Sequence, residues 1–375
     1  MERLRKYLVY TILIGWLCAV ALPMIWVLLN SLRSSKEFVQ NPFGMPWLIG
    51  GVPADGLLEP AEIGAAIKGA KDTPPTGITR AELDWLQENF ETIDKDNNGA
   101  LEAGTTYGHP EQTLEADTIA AIEESVSRPL ALQAAFDNYR NAWVESNFSG
   151  FFFNSVWVTF WSLLGTLALA SMAAYVLARF EFRGNRFLFM FFISGMMIPA
   201  QLLLIPVFFE FSWFSDMGTA LLRPFGWTFQ LYDSHFGLIM LYIALSLPFT
   251  ILVLSGFFKS LPGALREAAI LDGCGEYRVF WHVMLPLAKP GLITAGIFNF
   301  LGIWNEYIFA LVFVNTAEKK TLPLGLASVS IQAQYKTDFG LMFAGLVIVV
   351  IPTLLVYMIL QRKLTEGITM GALKG

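Results

Sequence analysis

Residues 236–258 read FGLIMLYIALSLPFTILVLSGFF, 23 positions without a charged side chain. A helix of that length crosses the hydrocarbon core of a bilayer, which needs about 20 apolar residues. Inside lipid a helix also satisfies its own backbone donors and acceptors. Working outward, five further apolar runs lie at 8–30, 154–178, 187–209, 291–314 and 340–360. Of the 375 residues, 55% are hydrophobic and 15% charged. A soluble domain of this size is about one quarter charged, so the apolar excess faces something other than water. The expected fold is an all-α integral membrane protein with six spans and a small helical insert between spans 1 and 2. Pro199, Pro206, Pro248 and Pro352 interrupt some runs, which is tolerated where neighbours satisfy the freed carbonyls. Gly165, Ala168 and Ser171 permit close helix packing in the second run.

Lys and Arg set the orientation. With a cytoplasmic N-terminus, segments 1–7, 179–186, 259–290 and 361–375 lie inside and hold 13 of these residues. The short outer loops 210–235 and 315–339 hold 4. Both termini are therefore expected in the cytoplasm, although Lys319 and Lys320 run against the trend. Arg3, Arg5 and Lys6 before an apolar run, with Ala19-Val20-Ala21 further on, imitate a signal peptide. The run continues through Leu29, beyond the roughly 7–15 apolar residues of a signal sequence, and is read as an uncleaved first span.

Segment 31–149 is a different kind of sequence. It holds 19 acidic and 8 basic residues, the remainder 12 and 17. Cys18 and Cys274 lie in unlike surroundings without metal-type spacing, and a disulfide between them is not expected. His109, His235 and His282 are scattered and form no catalytic set.

The loop after the opening run, residues 259–291, reads KSLPGALREAAILDGCGEYRVFWHVMLPLAKPG. Pro262 suits the first turn of a helix. Leu265, Ala268, Ala269 and Ile270 give that helix a small apolar side. Gly273 can take the left-handed conformation that ends a helix. A second amphipathic segment, Glu276 to Val283, is expected to stop at Leu285-Pro286. The result is two short helices joined at a glycine bend, on the side assigned to the cytoplasm.

These residues resemble the permease family of ABC importers, the inner-membrane components of binding-protein-dependent transport. The family's signature is EAA, three residues, G, nine residues, then I-x-L-P. Glu267-Ala268-Ala269, Gly273 and Leu285-Pro286 fit that spacing, with Val283 in place of Ile. The tail Gly367-Ile368-Thr369-Met370-Gly371-Ala372-Leu373-Lys374-Gly375 is similar to the close of maltodextrin-type permeases, and Trp304-Asn305-Glu306-Tyr307 to their W-N-E-aromatic box. Asn41-Pro42, Phe136-Asp137-Asn138-Tyr139 and Phe153-Asn154-Ser155 resemble the family's first outer loop and second span.

The resemblance implies a permease subunit, not an enzyme, in a bacterial inner membrane, importing a sugar or similar solute. It implies that Glu267, Ala268, Ala269, Asp272, Gly273, Leu285 and Pro286 transmit the motion of an ATPase. The partners it implies are a second permease subunit, an ATP-binding cassette ATPase dimer, an extracytoplasmic solute-binding protein and the lipid bilayer, with no nucleic acid. No Gly-Lys-Ser/Thr phosphate loop occurs in the chain, so ATP hydrolysis belongs to a partner. An importer of glycerol phosphates or another polar solute is the alternative within transport, and a calcium-responsive membrane sensor the alternative outside it.

Asn299, Gly302 and Glu306, spaced by three and four, would share one face of the fifth span. An intramembrane carboxylate faces the bundle interior or a water-filled path. Asn299, Trp304, Asn305, Glu306 and Tyr307 are therefore read either as lining of a solute path or as a polar box between helices.

Residues 48–131 have no counterpart in the family pattern, which divides the chain into 1–47, the insert 48–131, and a core over 132–375. DKDNNGALEAGT at 94–105 resembles an EF-hand loop. Asp94, Asp96, Asn98, the Ala100 carbonyl and Glu102 would be its calcium ligands, with Gly99 at the turn. Thr105 stands where bidentate Glu is expected. A Ca²⁺ site and a solvated Asp/Asn turn are both open readings, and no other cofactor is expected.

Overall fold

The computed structural model describes residues 2–46, 132, 135–226, 228–336 and 338–372. The insert therefore lies outside the described residues. The described chain is helical, without strands. It forms two compact units, one of residues 1–146 with 330–347, the other of 147–329 with 348–375.

The first unit is built on α1 (Glu2–Ser31) and the short α2 (Ser35–Gln40). Val9–Ser31 is long and apolar enough to cross a membrane, and most of its side chains before Trp26 are exposed in the isolated chain, as a lipid-facing helix requires. The far end of α1 is tied down by polar groups. Asn138 Nδ2 donates to the Ser31 and Arg33 carbonyls at 3.2 and 2.8 Å, taking up acceptors that a helix end leaves open. Ser31 Oγ lies 2.7 Å from the Tyr139 hydroxyl, and the buried Arg33 pairs with Glu37 at 2.9 Å. Trp26 Nε1 donates to the Pro42 carbonyl at 3.0 Å. The segments on either side of the insert are thus bonded to each other directly. The Phe-Asp-Asn-Tyr motif of the sequence supplies those bonds, while Pro42 of the Asn-Pro motif is bonded back to α1.

The second unit centres on α3 (Phe148–Arg179), packed along α6 (His235–Ser260). Small residues let the two approach. Ala170 and Ala174 are fully buried, and a Cβ on Gly165 would come within 2.5 Å of Ile243 Cδ1. Between them the chain forms α4 (Asn185–Met197) and α5 (Leu204–Leu222). After α6 come α7 (Gly263–Leu271), α8 (Glu276–Leu287), α9 (Lys289–Trp304) and α10 (Ile308–Phe313). The last helices are α11 (Leu322–Lys336) and α12 (Phe339–Ala372).

Among the described residues, four helices are long and apolar enough to span: Val9–Ser31, Phe148–Arg179, His235–Ser260 and Phe339–Gln361. Two of the six apolar runs are not continuous helices. The run 187–209 bends by 91° between Met197 and Ala200. Ile198 precedes Pro199 and takes an extended conformation, φ −87° and ψ 119°, because a proline ring excludes the preceding residue from the α region. The run 291–314 stops at Trp304, and Asn305 to Tyr307 separate α9 from α10.

Candidate functional site: a glycine bend and an interrupted helix

The helix predicted after Pro262 is α7, and its end is closed by three backbone bonds. Asp272 N–H donates to Ala268 O at 2.9 Å, Gly273 to Ile270 O at 2.9 Å, and Cys274 to Ala269 O at 3.0 Å. Gly273 has φ +83°, the left-handed bend expected from sequence. A Cβ there would meet nothing within 4 Å, so glycine is needed for backbone conformation and not for space.

The second segment runs further than the sequence reading placed it. From Glu276 it passes through a π-helical stretch, Phe280–Met284, and continues through Pro286 to Leu287. Pro286 sits at the first positions of the resumed α-turn, where its missing N–H costs little. The chain then turns by 71° into α9.

The two short helices are fastened to each other and to α3. The Arg266 guanidinium pairs with the Glu276 carboxylate across the glycine bend. Tyr175 on α3 donates to Glu276 Oε2 at 3.1 Å. Arg266 also lies over the Phe180 ring, 5.1 Å from its centroid. The hydrogen bonds that Arg266 donates to Glu276 raise the guanidinium pKa further, burial opposes the rise, and Coulomb attraction to Glu276 adds to it. Beneath, Ala269, Val279, Phe280 and Met284 pack with Phe258 and Tyr175. The outer surface is bare. Leu271 is 87% exposed and Tyr277 74%. Glu267, Ala268, Asp272 and Gly273 are exposed as well, and Leu285 is half-buried.

At the interrupted helix, the five polar and aromatic residues part company. Asn299 is buried and donates to Thr250 Oγ1 at 2.8 Å. Trp304 is buried, its indole N–H 3.4 Å from the Val349 carbonyl and its ring stacked on Phe300. Because α9 ends at Trp304, Glu306 does not continue the Asn299–Gly302 face. It caps α10 instead: Oε1 accepts from Phe309 N at 2.8 Å and Oε2 from Ala310 N at 3.1 Å. Tyr242 on α6 donates to the same Oε2 at 2.6 Å. Asn305 is exposed and uses Nδ2 on the Leu301 carbonyl at 2.9 Å. Tyr307 is half-buried, and its hydroxyl has no hydrogen-bond partner among the described residues.

Sequence reasoning passed over a polar knot at the start of α6. Asp233, with φ +51°, accepts from Asn315 N and Thr316 N, each at 2.9 Å, and from the Thr316 hydroxyl and Lys319 Nζ. Burial alone would raise its pKa, but the Thr316 side chain, these backbone N–H groups and Lys319 hold it at about 2. Asn154 donates to the Glu318 and Lys320 carbonyls at 2.7 and 3.0 Å, and Ser155 accepts from Leu322 N at 2.7 Å. The Phe-Asn-Ser motif was legible, but its partners lie more than 160 residues away in sequence.

The EF-hand-like stretch, with Asp94, Asp96, Asn98, Ala100 and Glu102, lies outside the described residues. Among the described residues no three His, Cys, Asp or Glu side chains are grouped to hold a metal.

Comparison with known proteins gives a consistent picture. Residues 166–369 match the family described as binding-protein-dependent transport system inner membrane component. The chain is 38% identical over 253 residues to a diacetylchitobiose uptake system permease protein of Streptomyces coelicolor, covering 67% of this chain and 79% of that one. It is 35% identical over 240 residues to the trehalose transport system permease protein of Mycobacterium tuberculosis, covering 64% and 82%. Among solved structures, a chain of a bacterial ABC transporter involved in import of the acidic polysaccharide alginate aligns with TM-score 0.51 and 24% identity, covering 60% of this chain and 79% of that one. That likeness is one of fold.

Proposed function

Since this chain belongs to the family of binding-protein-dependent transport system inner membrane components, we propose that the solute it passes is a sugar or oligosaccharide. The observation that carries this reading is its likeness to the diacetylchitobiose and trehalose permeases over most of their lengths. The chain is a multi-pass membrane permease and not itself an enzyme. ATP hydrolysis falls to an ATP-binding cassette ATPase dimer. A second permease subunit completes the membrane channel, and an extracytoplasmic binding protein delivers the solute.

In this reading α7 and α8 form the surface that meets the ATPase, and both termini are cytoplasmic. The bare Leu271 and Tyr277 support it, because exposed apolar side chains beside a membrane span suit burial by a partner. One crossing from α4 with α5 and one from α9 with α10 bring the spans to six. At the interrupted helix, Asn299, Trp304 and Glu306 spend their polar groups within the bundle. Asn305 and Tyr307 keep groups open to sugar hydroxyls, and Tyr307 also offers a ring face.

The test is a thermal-shift screen of the cognate binding protein against di- and oligosaccharides, followed by ATP-driven uptake in proteoliposomes. A saccharide that stabilises the binding protein and is taken up is the expected result. Stabilisation and uptake confined to a glycerol phosphate would overturn the sugar assignment.

A further inference from the structure

The elbow between α3 and α4 encloses a cleft of about 660 Å³. The elbow is well fixed: Gly184 takes φ +97°, and Asn185 Nδ2 donates to the Leu177 and Phe180 carbonyls at 3.2 and 2.5 Å. Arg179, Arg186 and Lys259 line the cleft together with a single acid, Glu181. Arg179 donates to the Leu261 carbonyl at 2.6 Å, and its Nε is buried without a hydrogen-bond partner. Lys259 Nζ lies 5.0 Å from the centre of the Phe189 ring. Arg186 and Lys259 have no carboxylate partner among the described residues. The cleft therefore keeps a positive surplus and unspent donors.

Its position narrows the choice of anion. Arg179 is the last residue of one span and Lys259 the penultimate residue of another, which places both at the edge of the hydrocarbon core. Phe182 and Phe187, also lining the cleft, are 41% and 72% exposed. Aromatic side chains at that level belong to the membrane interface. A free anion would gain nothing from this apolar shoulder, whereas a phospholipid brings a phosphodiester and an acyl chain together.

We propose that the α3–α4 elbow is a binding site for the phosphate of an anionic phospholipid headgroup. Arg186 and Lys259 supply the charge, and Phe182 and Phe187 receive the glycerol and upper acyl chain. The site would anchor the end of the bundle that also carries α7 and α8. It depends on α3 and α6 spanning the membrane and not on the identity of the solute.

The experiment is native mass spectrometry of the full-length chain in detergent, titrated with phosphatidylglycerol or phosphatidylcholine. The wild-type chain is expected to retain phosphatidylglycerol preferentially. The double variant Arg186→Gln/Lys259→Gln is expected to bind it more than tenfold more weakly, at roughly fivefold per cation removed. The charge-preserving pair Arg186→Lys/Lys259→Arg should retain the lipid, which separates loss of charge from loss of fold. Equal retention by the wild-type chain and the Gln variant, or equal retention of the two lipids, would overturn the proposal. Displacement of the lipid by millimolar inorganic phosphate would reassign the site to a free anion. The leaflet is tested separately, with Arg183→Cys in a chain whose Cys18 and Cys274 are replaced by Ser. Labelling of Cys at 183 by an impermeant maleimide from outside intact cells would overturn the cytoplasmic orientation and leave the lipid result standing.

Discussion

The two ends of α6 carry polar clusters that are finished differently. Before its first turn, Asp233 is mostly buried and surrounded by donors from Asn315, Thr316 and Lys319. Beyond its last turn, Arg266 and Glu276 form an ion pair that is 25% and 40% exposed, beside the bare Leu271 and Tyr277. The first end satisfies itself within the chain. The second satisfies its backbone and leaves its surface open, as an element does when a partner completes it. In the proposed orientation the first end holds an outer loop and the second meets the ATPase.

The largest effect should come from breaking the closed end. Asp233→Ala strips partners from two backbone N–H groups and one cation, for a loss of about 2–4 kcal/mol. The melting temperature of the purified chain is expected to fall, and an unchanged value would refute the assignment. The pH dependence has a definite sign. The folded-state pKa of about 2 lies below the ordinary 3.8, so the stabilisation is complete above pH 3.8 and is lost as pH falls towards 2. The gap in melting temperature between wild type and Asp233→Asn should therefore be constant near neutrality and close in acid.

Gly273→Val comes next. A non-glycine residue in the left-handed region costs about 1–2 kcal/mol, and the open space around Gly273 gives no further steric term. Such a cost shifts a local equilibrium roughly 5–30-fold. The variant should insert normally but lose most of its ATP-coupled uptake, while Gly273→Asn, which tolerates this conformation, should keep more. Equal uptake by all three chains would show that the bend is not needed for coupling.

Glu306→Ala removes the cap of α10 and the acceptor of Tyr242, for roughly 1 kcal/mol. The expected outcome is lower thermal stability with unchanged solute preference, whereas Asn305→Ala should alter uptake kinetics with little change in stability. A changed preference in Glu306→Ala would return that carboxylate to the solute path. The smallest effect belongs to Glu276→Gln. Its pair is partly exposed, and such pairs contribute about 0–1 kcal/mol. A double-mutant cycle with Arg266→Gln should give a coupling energy in that range.

Much of this was legible in the sequence because the signals are local. An uncharged run of 23 residues has few alternatives to a membrane helix, and a glycine after an apolar turn marks a helix end through its own backbone freedom. The breaks inside the apolar runs were harder to see. Pro199 reads as an interruption, but Pro248 and Pro352 stay inside continuous helices, so a proline alone does not say where a helix stops, and hydropathy averages over Trp304 to Tyr307. Glu306 read as a member of a helical face because that arithmetic assumes an unbroken helix. The overlooked signal is the pair Asn305-Glu306 followed by Tyr-Ile-Phe-Ala, a polar stop and an acidic start for a new helix. The Asp233 knot was beyond reach. Its donors come from residues some 82 to 86 positions away, and no local pattern announces them.

The ion pair across the glycine bend gives the elbow a mechanical character. The backbone bonds at Gly273 and the packing of Ala269 with Val279, Phe280 and Met284 already hold α7 against α8, and the pair adds a polar tie across the bend. With Arg266 and Glu276 joined, and Glu276 held by Tyr175, the two helices form one connected piece. That piece is tied to the bundle by the Tyr175 hydrogen bond into α3 and covalently through Ala288 into α9. In the proposed coupling, a displacement applied at the exposed surface of α7 and α8 is shared between two membrane helices.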